Sequence, residues 1–418
     1  MRAPLPILGL LALAATGAPP DPPPPRAAEA RTLVERLVPL VEEIRGLKFK
    51  ETVSVEMADD AAARRHFEDR LRTYWPEDRM LVEQDLFLDL GLLPQGTDLK
   101  ETLFVALEEQ AGGYYDPRRR TFVVLSDMPW SMAPIIVAHE LTHALDDQHF
   151  DIDGMLRGTQ GIDERAGAVA AVVEGSGTLV MTLYIVREID AGRFTPEIAG
   201  EIRESEAGKA ERLKSAPQIL QRLLVGPYVL GMAFLLKGDL AGMPRAVAPA
   251  ADLERAFRRP PVSWEQILHP EKYWIEEKQD PPRPVVLPDL AATLGEGWSL
   301  AGEGGLGEMV LAILTGPGGE PFDPTSFEDP GRWTNTGAAG WGGDRWQLYR
   351  RGGETVTLLA TRWDSERDAR EFEAALSPAR GRLLVRRGDA AVLVAGDAGA
   401  RARALARNAM KSVAAARD

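Results

Sequence analysis

Ala133-Pro134-Ile135-Ile136-Val137-Ala138-His139-Glu140-Leu141-Thr142-His143-Ala144-Leu145-Asp146-Asp147-Gln148 is the stretch on which the reading of this chain turns. Its apolar run leads into His139 and His143, and residues four apart on an α-helix share a face about one turn from each other. Two imidazoles so placed can hold one zinc ion. Glu140, beside the first ring, points to the flank where a metal-bound water sits, and a carboxylate there can take the water's proton. Ser131 as cap and Pro134 in the first turn supply a helix start. The chain has only five histidines, which favours a ligand pair over two rings that merely pack.

A catalytic zinc site needs a third protein ligand and an open position. Residues 164–190 predict a long helix, nearly all apolar or small, with Glu174 near its middle. Its length would suit a membrane span, but a lone carboxylate in hydrocarbon or in a packed core is costly unless it is paired or bound to metal. Gly175 and Gly177 beside it let another helix come close. Glu174 is therefore the leading third ligand, with Glu164, Glu188 and His149 as alternatives. Asp147, four residues after His143, either accepts the outer N–H of a ligand imidazole or marks the helix end.

The 418 residues allow more than one core, and a net charge of −14 without a compensating basic cluster argues against nucleic acid as partner. Met1-Arg2, the leucine-rich run from Leu5 to Leu13 and the small residues Ala14–Ala18 predict a signal peptide over 1–18, too short to be a span. The absence of cysteine excludes disulfides and a lipid-modified cysteine. A secreted, periplasmic or cell-envelope location follows, with no integral span in the mature chain. Residues 19–30 predict a proline-rich linker.

Helical spacing recurs over 27–45, interrupted by Pro39, then from Asp59 past Tyr74 and again up to Leu93. Val53, Val55 and Met57 alternate as a strand. Residues 112–125 predict two short strands around Asp116-Pro117. That hairpin either rims a cleft, where an extended peptide can pair with it, or simply covers the core. His66 lies in a polar setting and reads as a surface residue. A polar stretch, 195–214, predicts an exposed helix, and 219–236 a buried one. Tyr228 and His269 are candidate donors to a developing oxyanion, or else core and capping residues. Gln279 to Pro284 form a second linker, and strands and helices then follow in the order β-β-α-β-β-α from Trp346 to Val413, a small α+β module.

With His139-Glu140-Leu141-Thr142-His143-Ala144 and Glu174 in place, the chain resembles the gluzincin branch of zinc metallopeptidases, the thermolysin-like ones. The wider set, Asp147-Gln148-His149-Phe150, Val173-Glu174-Gly175, Pro227-Tyr228 and Ile267-Leu268-His269-Pro270-Glu271-Lys272-Tyr273, is similar to a family of uncharacterised predicted bacterial metallopeptidases, over Thr32 to Tyr273. The resemblance implies Zn2+ on His139, His143 and Glu174, Glu140 as base, and a peptide or protein substrate. One position departs: the Asp that the thermolysin group carries four residues after its ligand Glu is Thr178 here, so support for a ligand ring must come from elsewhere. The expected fold is α+β: a mainly helical zincin-like domain over 31–280 with a hairpin beside the His helix, and an α+β module over 285–418 on an antiparallel sheet. The alternatives to a peptidase are an envelope binding or assembly protein with a vestigial or structural zinc site, and a zinc hydrolase of a non-peptide amide.

Overall fold

A computed structural model describes residues 26–108, 112–126, 128, 130–159, 164–202, 204, 213, 216–239, 247–316, 332–376 and 382–415. The chain is α+β, mainly helical as far as residue 274, with two sheets. The signal sequence expected at 1–18 and the prolines at 19–25 lie outside the described residues, as does most of the polar stretch 195–214 beyond residue 202.

The N-terminal part runs α1 (Ala27–Arg45), β1 (Ser54–Ala58), α2 (Asp60–Tyr74), α3 (Glu77–Asp89), α4 (Leu99–Glu108), β2 (Gly113–Asp116) and β3 (Thr121–Leu125). There follow α5 (Ala133–Phe150), α6 (Ile152–Arg157), α7 (Glu164–Asp190), α8 (Gln218–Leu235), α9 (Ala250–Arg258), α10 (Trp264–Leu268) and α11 (Glu271–Trp274). Helix α1 starts inside the stretch assigned to the linker and runs unbroken through Pro39. Pro39 is exposed, so the Glu35 carbonyl left without its helical partner can be met by water. The cap of α5 also differs from expectation. Met132 occupies the N-cap without a side-chain bond, and Pro134 alone supplies the start signal. At the other end Asp151, at φ 54°, closes α5 and opens α6, its Oδ1 accepting from Gly154 N at 3.1 Å.

Helices α7 and α8 are long and apolar enough to cross a membrane by composition, yet 83% and 78% of their most apolar windows are buried against the rest of the fold. Glycine is what lets them cross in near backbone contact. A Cβ at Gly231 would lie 1.9 Å from the Ala171 carbonyl oxygen, and one at Gly175 would lie 2.3 Å from the Gly231 carbonyl carbon. Beside them, Leu141 and Leu145 of α5 pack with Val180, Met181 and Tyr184 of α7 and with Leu33, Leu37 and Val41 of α1.

The first sheet is mixed, in the order β1-β3-β2, with β1 parallel and β2 antiparallel to the central, fully buried β3. Strand β2 is therefore an edge. His66, expected at the surface, is half-buried and stacks on Tyr114 of this edge, ring centroids 4.0 Å apart. Arg64 and Arg65, the neighbours that suggested exposure, are themselves exposed.

Beyond residue 279 come α12 (Ala291–Leu294), β4 (Ser299–Gly304), α13 (Gly307–Thr315), β5 (Trp341–Arg351), β6 (Glu354–Trp363), α14 (Glu366–Ala375), β7 (Leu383–Arg387), β8 (Ala390–Gly396) and α15 (Ala402–Ala415). The five strands form an antiparallel sheet in the order β4-β5-β6-β8-β7, which adds an unforeseen edge strand, β4, to the expected β-β-α-β-β-α run. Alternation along β6 and β8 assigns each face. Leu359, Trp363, Leu393 and Ala395 face a core shared with Leu86 and Phe87 of α3, whereas Val356, Leu358, Val392 and Val394 face α12 and α15. The sheet is thus covered on both sides. The proline-rich stretch at 279–284 lies against it, with Arg283 N donating to Gly342 O at 2.6 Å.

Candidate metal centre

Helix α5 turns His139 and His143 toward α7, and the middle of α7 supplies Glu174. His139 Nε2 lies 2.9 Å from His143 Nε2, and Glu174 Oε2 lies 3.2 Å from the first and 3.3 Å from the second. For a tetrahedral ion with ligand bonds of about 2.1 Å, ligand atoms are separated by roughly 3.4 Å. The triangle of side chains therefore fits a small divalent cation with little adjustment. A carboxylate oxygen of Glu140 lies within 4.8 Å of both imidazole nitrogens. The residues that can hold a metal are thus His139, His143 and Glu174, with Glu140 beside them.

The groups are strongly coupled. Burial pulls the His143 imidazole down, but the Glu174 carboxylate against it prevails and pushes it up to about 9. Burial alone would raise Glu174, and the two imidazoles overcome it and hold the carboxyl well below its usual range. Glu140 moves the other way: its burial outweighs the imidazoles and raises it. One donor fixes Glu140, the backbone N–H of Tyr115 in β2, at 2.7 Å from Oε2.

Glycine shapes the site as well. A Cβ at Gly177 would lie 2.6 Å from Cε1 and 2.8 Å from Nδ1 of His139, so the ring rests directly on a bare stretch of α7. Tyr228 covers the other side, its ring 5.9 Å from that of His139 at 23°. Burial raises the Tyr228 hydroxyl well above the usual range, and Glu174, to which it donates a hydrogen bond, raises it further.

Together these groups line a cavity of about 350 Å³, with Phe67, Leu71, Tyr74, Ile152, Leu156, Val173 and Leu224 as its apolar wall. His269 does not reach it. Its Nε2 pairs with Glu308 of α13 at 3.0 Å, under the C-terminal sheet, which corrects its assignment as an oxyanion donor. Asp147 supports neither imidazole: its Oδ2 accepts from the Tyr115 hydroxyl at 3.0 Å and its Oδ1 from Ile152 N at 2.9 Å, so it ends the helix. His149 Nε2 lies 2.8 Å from Lys48 O, apart from the cavity. Thr178 bonds back to the Glu174 carbonyl at 2.8 Å, and the buried Nδ1 of His143 has no partner among the described residues.

Residues 300–415 match the model of a domain of unknown function (DUF8575). That stretch is the C-terminal sheet and its helices, and it includes none of the residues that meet at the metal centre. Neither the curated proteins nor the solved structures yield a match to the chain.

Sequence reading missed the clamp beneath the centre. Asp146 is wholly buried and receives Arg45 Nε of α1 at 2.7 Å and Ser176 Oγ of α7 at 2.6 Å. It ties three helices together one turn after His143. Nothing in the sequence singles out Arg45, which lies 101 residues away.

Proposed function

We propose that the protein is a zinc-dependent hydrolase of peptide bonds, of zincin-like build, that works in the cell envelope or outside the cell. The observation that carries this reading is the convergence of His139, His143 and Glu174 on one point, with Glu140 held beside it by the Tyr115 amide. Two imidazoles and one carboxylate leave the fourth position of a tetrahedral ion open, the donor set of a catalytic rather than a structural zinc. When bound there, zinc polarises a carbonyl and acidifies a water.

The chain's own residues do the rest. Glu140, a stronger base than an exposed glutamate because burial raises it, takes the proton of the attacking water and passes it to the departing amide nitrogen. Tyr228, held protonated by its surroundings, has a hydroxyl that can turn from Glu174 to the carbonyl oxygen as negative charge builds there. The apolar wall excludes bulk water and strengthens both interactions.

Strand β2 argues for an extended peptide rather than a compact amide. The bond from Leu125 N to Gly112 O and the pairing of Gly113 with Val124 turn the backbone N–H and C=O of Gly113 and Tyr115 away from β3, along the cavity; those of Tyr115 are taken by Glu140 and Arg70, which leaves those of Gly113 to a substrate. A substrate strand can add there by main-chain pairing. Export rests on the pattern over Met1 to Ala18.

The test is Glu140→Gln in the full chain. Zinc content should stay at that of the parent while hydrolysis of a broad peptide library falls by at least about 100-fold. The parent's turnover should stop on chelation and return with zinc. A parent that binds zinc and cleaves nothing would leave the site structural and end the proposal.

A further inference from the structure

We infer that Arg70 selects the substrate: its guanidinium, on the wall of the metal cavity, receives a carboxylate of the peptide, either the C-terminus or an acidic side chain close to the bond that is cut. This inference rests on the hydrolytic reading above and names the substrate class within it.

Arg70 lies in the last turn and a half of α2, and its Cζ sits 5.2 Å from the Tyr74 ring centroid. Its Nη1 donates to the Tyr115 carbonyl at 3.4 Å. The N–H of that same Tyr115 holds Glu140. Both backbone groups face the open edge of β2, so Arg70 and the base are anchored within about one residue's rise of each other, roughly 3.3 Å along the strand. The arginine therefore stands beside the reacting centre.

The charge balance of the cavity points to what Arg70 binds. Among the described residues no carboxylate lies within ion-pair reach of it, and its Nε and Nη2 have no protein partner. The two acids of the cavity are already engaged, Glu140 by the Tyr115 amide and Glu174 by the imidazoles. The nearby Arg118 is different, because Asp153 lies 3.6 Å from it. Among the described residues, the cleft of a chain of net charge −14 thus keeps an unneutralised cation, where a bound metal would add more positive charge. An anion completes this arrangement. With Nη1 committed to Tyr115, the free Nε and Nη2 edge is a two-pronged donor that matches a carboxylate, and the apolar neighbours Phe67, Leu71 and Leu224 strengthen such a pair.

The test uses zinc-loaded full chain and matched peptide pairs: C-terminal acid against C-terminal amide, and internal Asp or Glu against Asn or Gln. The parent should favour the carboxylate member of at least one type of pair by about 10-fold or more in kcat/KM, and the type that responds identifies which carboxylate is read. Arg70→Gln should bring that ratio close to one, and Arg70→Lys should recover part of it. Equal losses on both members of every pair would assign Arg70 to a backbone carbonyl and overturn the inference, as would a parent without preference. In parallel, the same peptides are titrated onto zinc-loaded Glu140→Gln and Glu140→Gln/Arg70→Gln. A carboxylate preference in Kd that vanishes in the double variant supports the role of Arg70 even if no peptide is cleaved, which would refute only the hydrolytic reading. No preference in Kd refutes the inference.

Discussion

The contact between Gly177 and His139 yields the sharpest prediction. In Gly177→Ala the new methyl would meet Cε1, Nδ1 and Nε2 of the ring at 2.6, 2.8 and 2.9 Å, so it lands on the ring face and not on its rim. Carbon atoms settle at about 3.6 Å, so the imidazole must retreat by about 1 Å. Metal coordination tolerates shifts of only about 0.2 Å before bonds are strained or lost. A displaced neighbour of this kind lowers metal affinity by about 10- to 100-fold, or about 1.4–2.7 kcal/mol. The assay is competition for zinc against a chromophoric chelator, run beside a thermal melt of the metal-free protein. Gly200→Ala is the control, because nothing lies within 4 Å of the Cβ it would add. If Gly177→Ala bound zinc within twofold of the parent, α7 would not be setting the position of His139, and the account of the site would fail at that point.

Three further outcomes follow from the same geometry. Asp146→Ala strands the buried Arg45 guanidinium and should destabilise by about 3–5 kcal/mol in urea unfolding, with Arg45→Met/Asp146→Leu recovering most of it; a loss below about 1 kcal/mol would mean the clamp is idle. Tyr228→Phe should keep zinc and lower kcat by about 100-fold, and an unchanged kcat would remove Tyr228 from the chemistry. For His66, burial, aided by Arg70 and Arg119, pulls the imidazole down to about 4 from 6.5. A depressed histidine stabilises the fold fully above about 6.5, and that contribution is lost as pH falls through the window to about 4. His66→Phe should flatten that part of the urea midpoint against pH profile, and an identical profile would show that another group is titrating.

How much of this was legible in the sequence depended on how local the signal was. His139, Glu140 and His143 lie within five residues of one helix, and Glu174 announced itself as an acid inside an apolar run, so their meeting needed only that the two helices pack. Gly177 marked where they do, and Gly175 where α7 meets α8. The strands of the C-terminal sheet were visible because two-residue alternation survives even when both faces are buried, with Leu359 on one side and Leu358 on the other. Strand β4 escaped because Ser299-Leu300-Ala301-Gly302-Glu303-Gly304 has too few side chains to alternate. Arg45, Asp146 and Arg70 escaped for a different reason: a charged residue in a helix looks the same in sequence whether it ends in water, in a buried pair or on a cavity wall. His269 misled by the same ambiguity, since aromatic neighbours and a following proline suit an internal seam as well as a cleft.

The two-sided burial of the five-stranded sheet bears on how the polypeptide can be divided. A cut near residue 280 would leave one fragment with the bare flank of α3 and the other with Trp341, Trp346 and Trp363 uncovered. Each piece would carry a sticky surface shaped for its counterpart. The ends of the molecule are therefore complementary halves, and the stretch that matches a family on its own is here also the lid of its neighbour's interior.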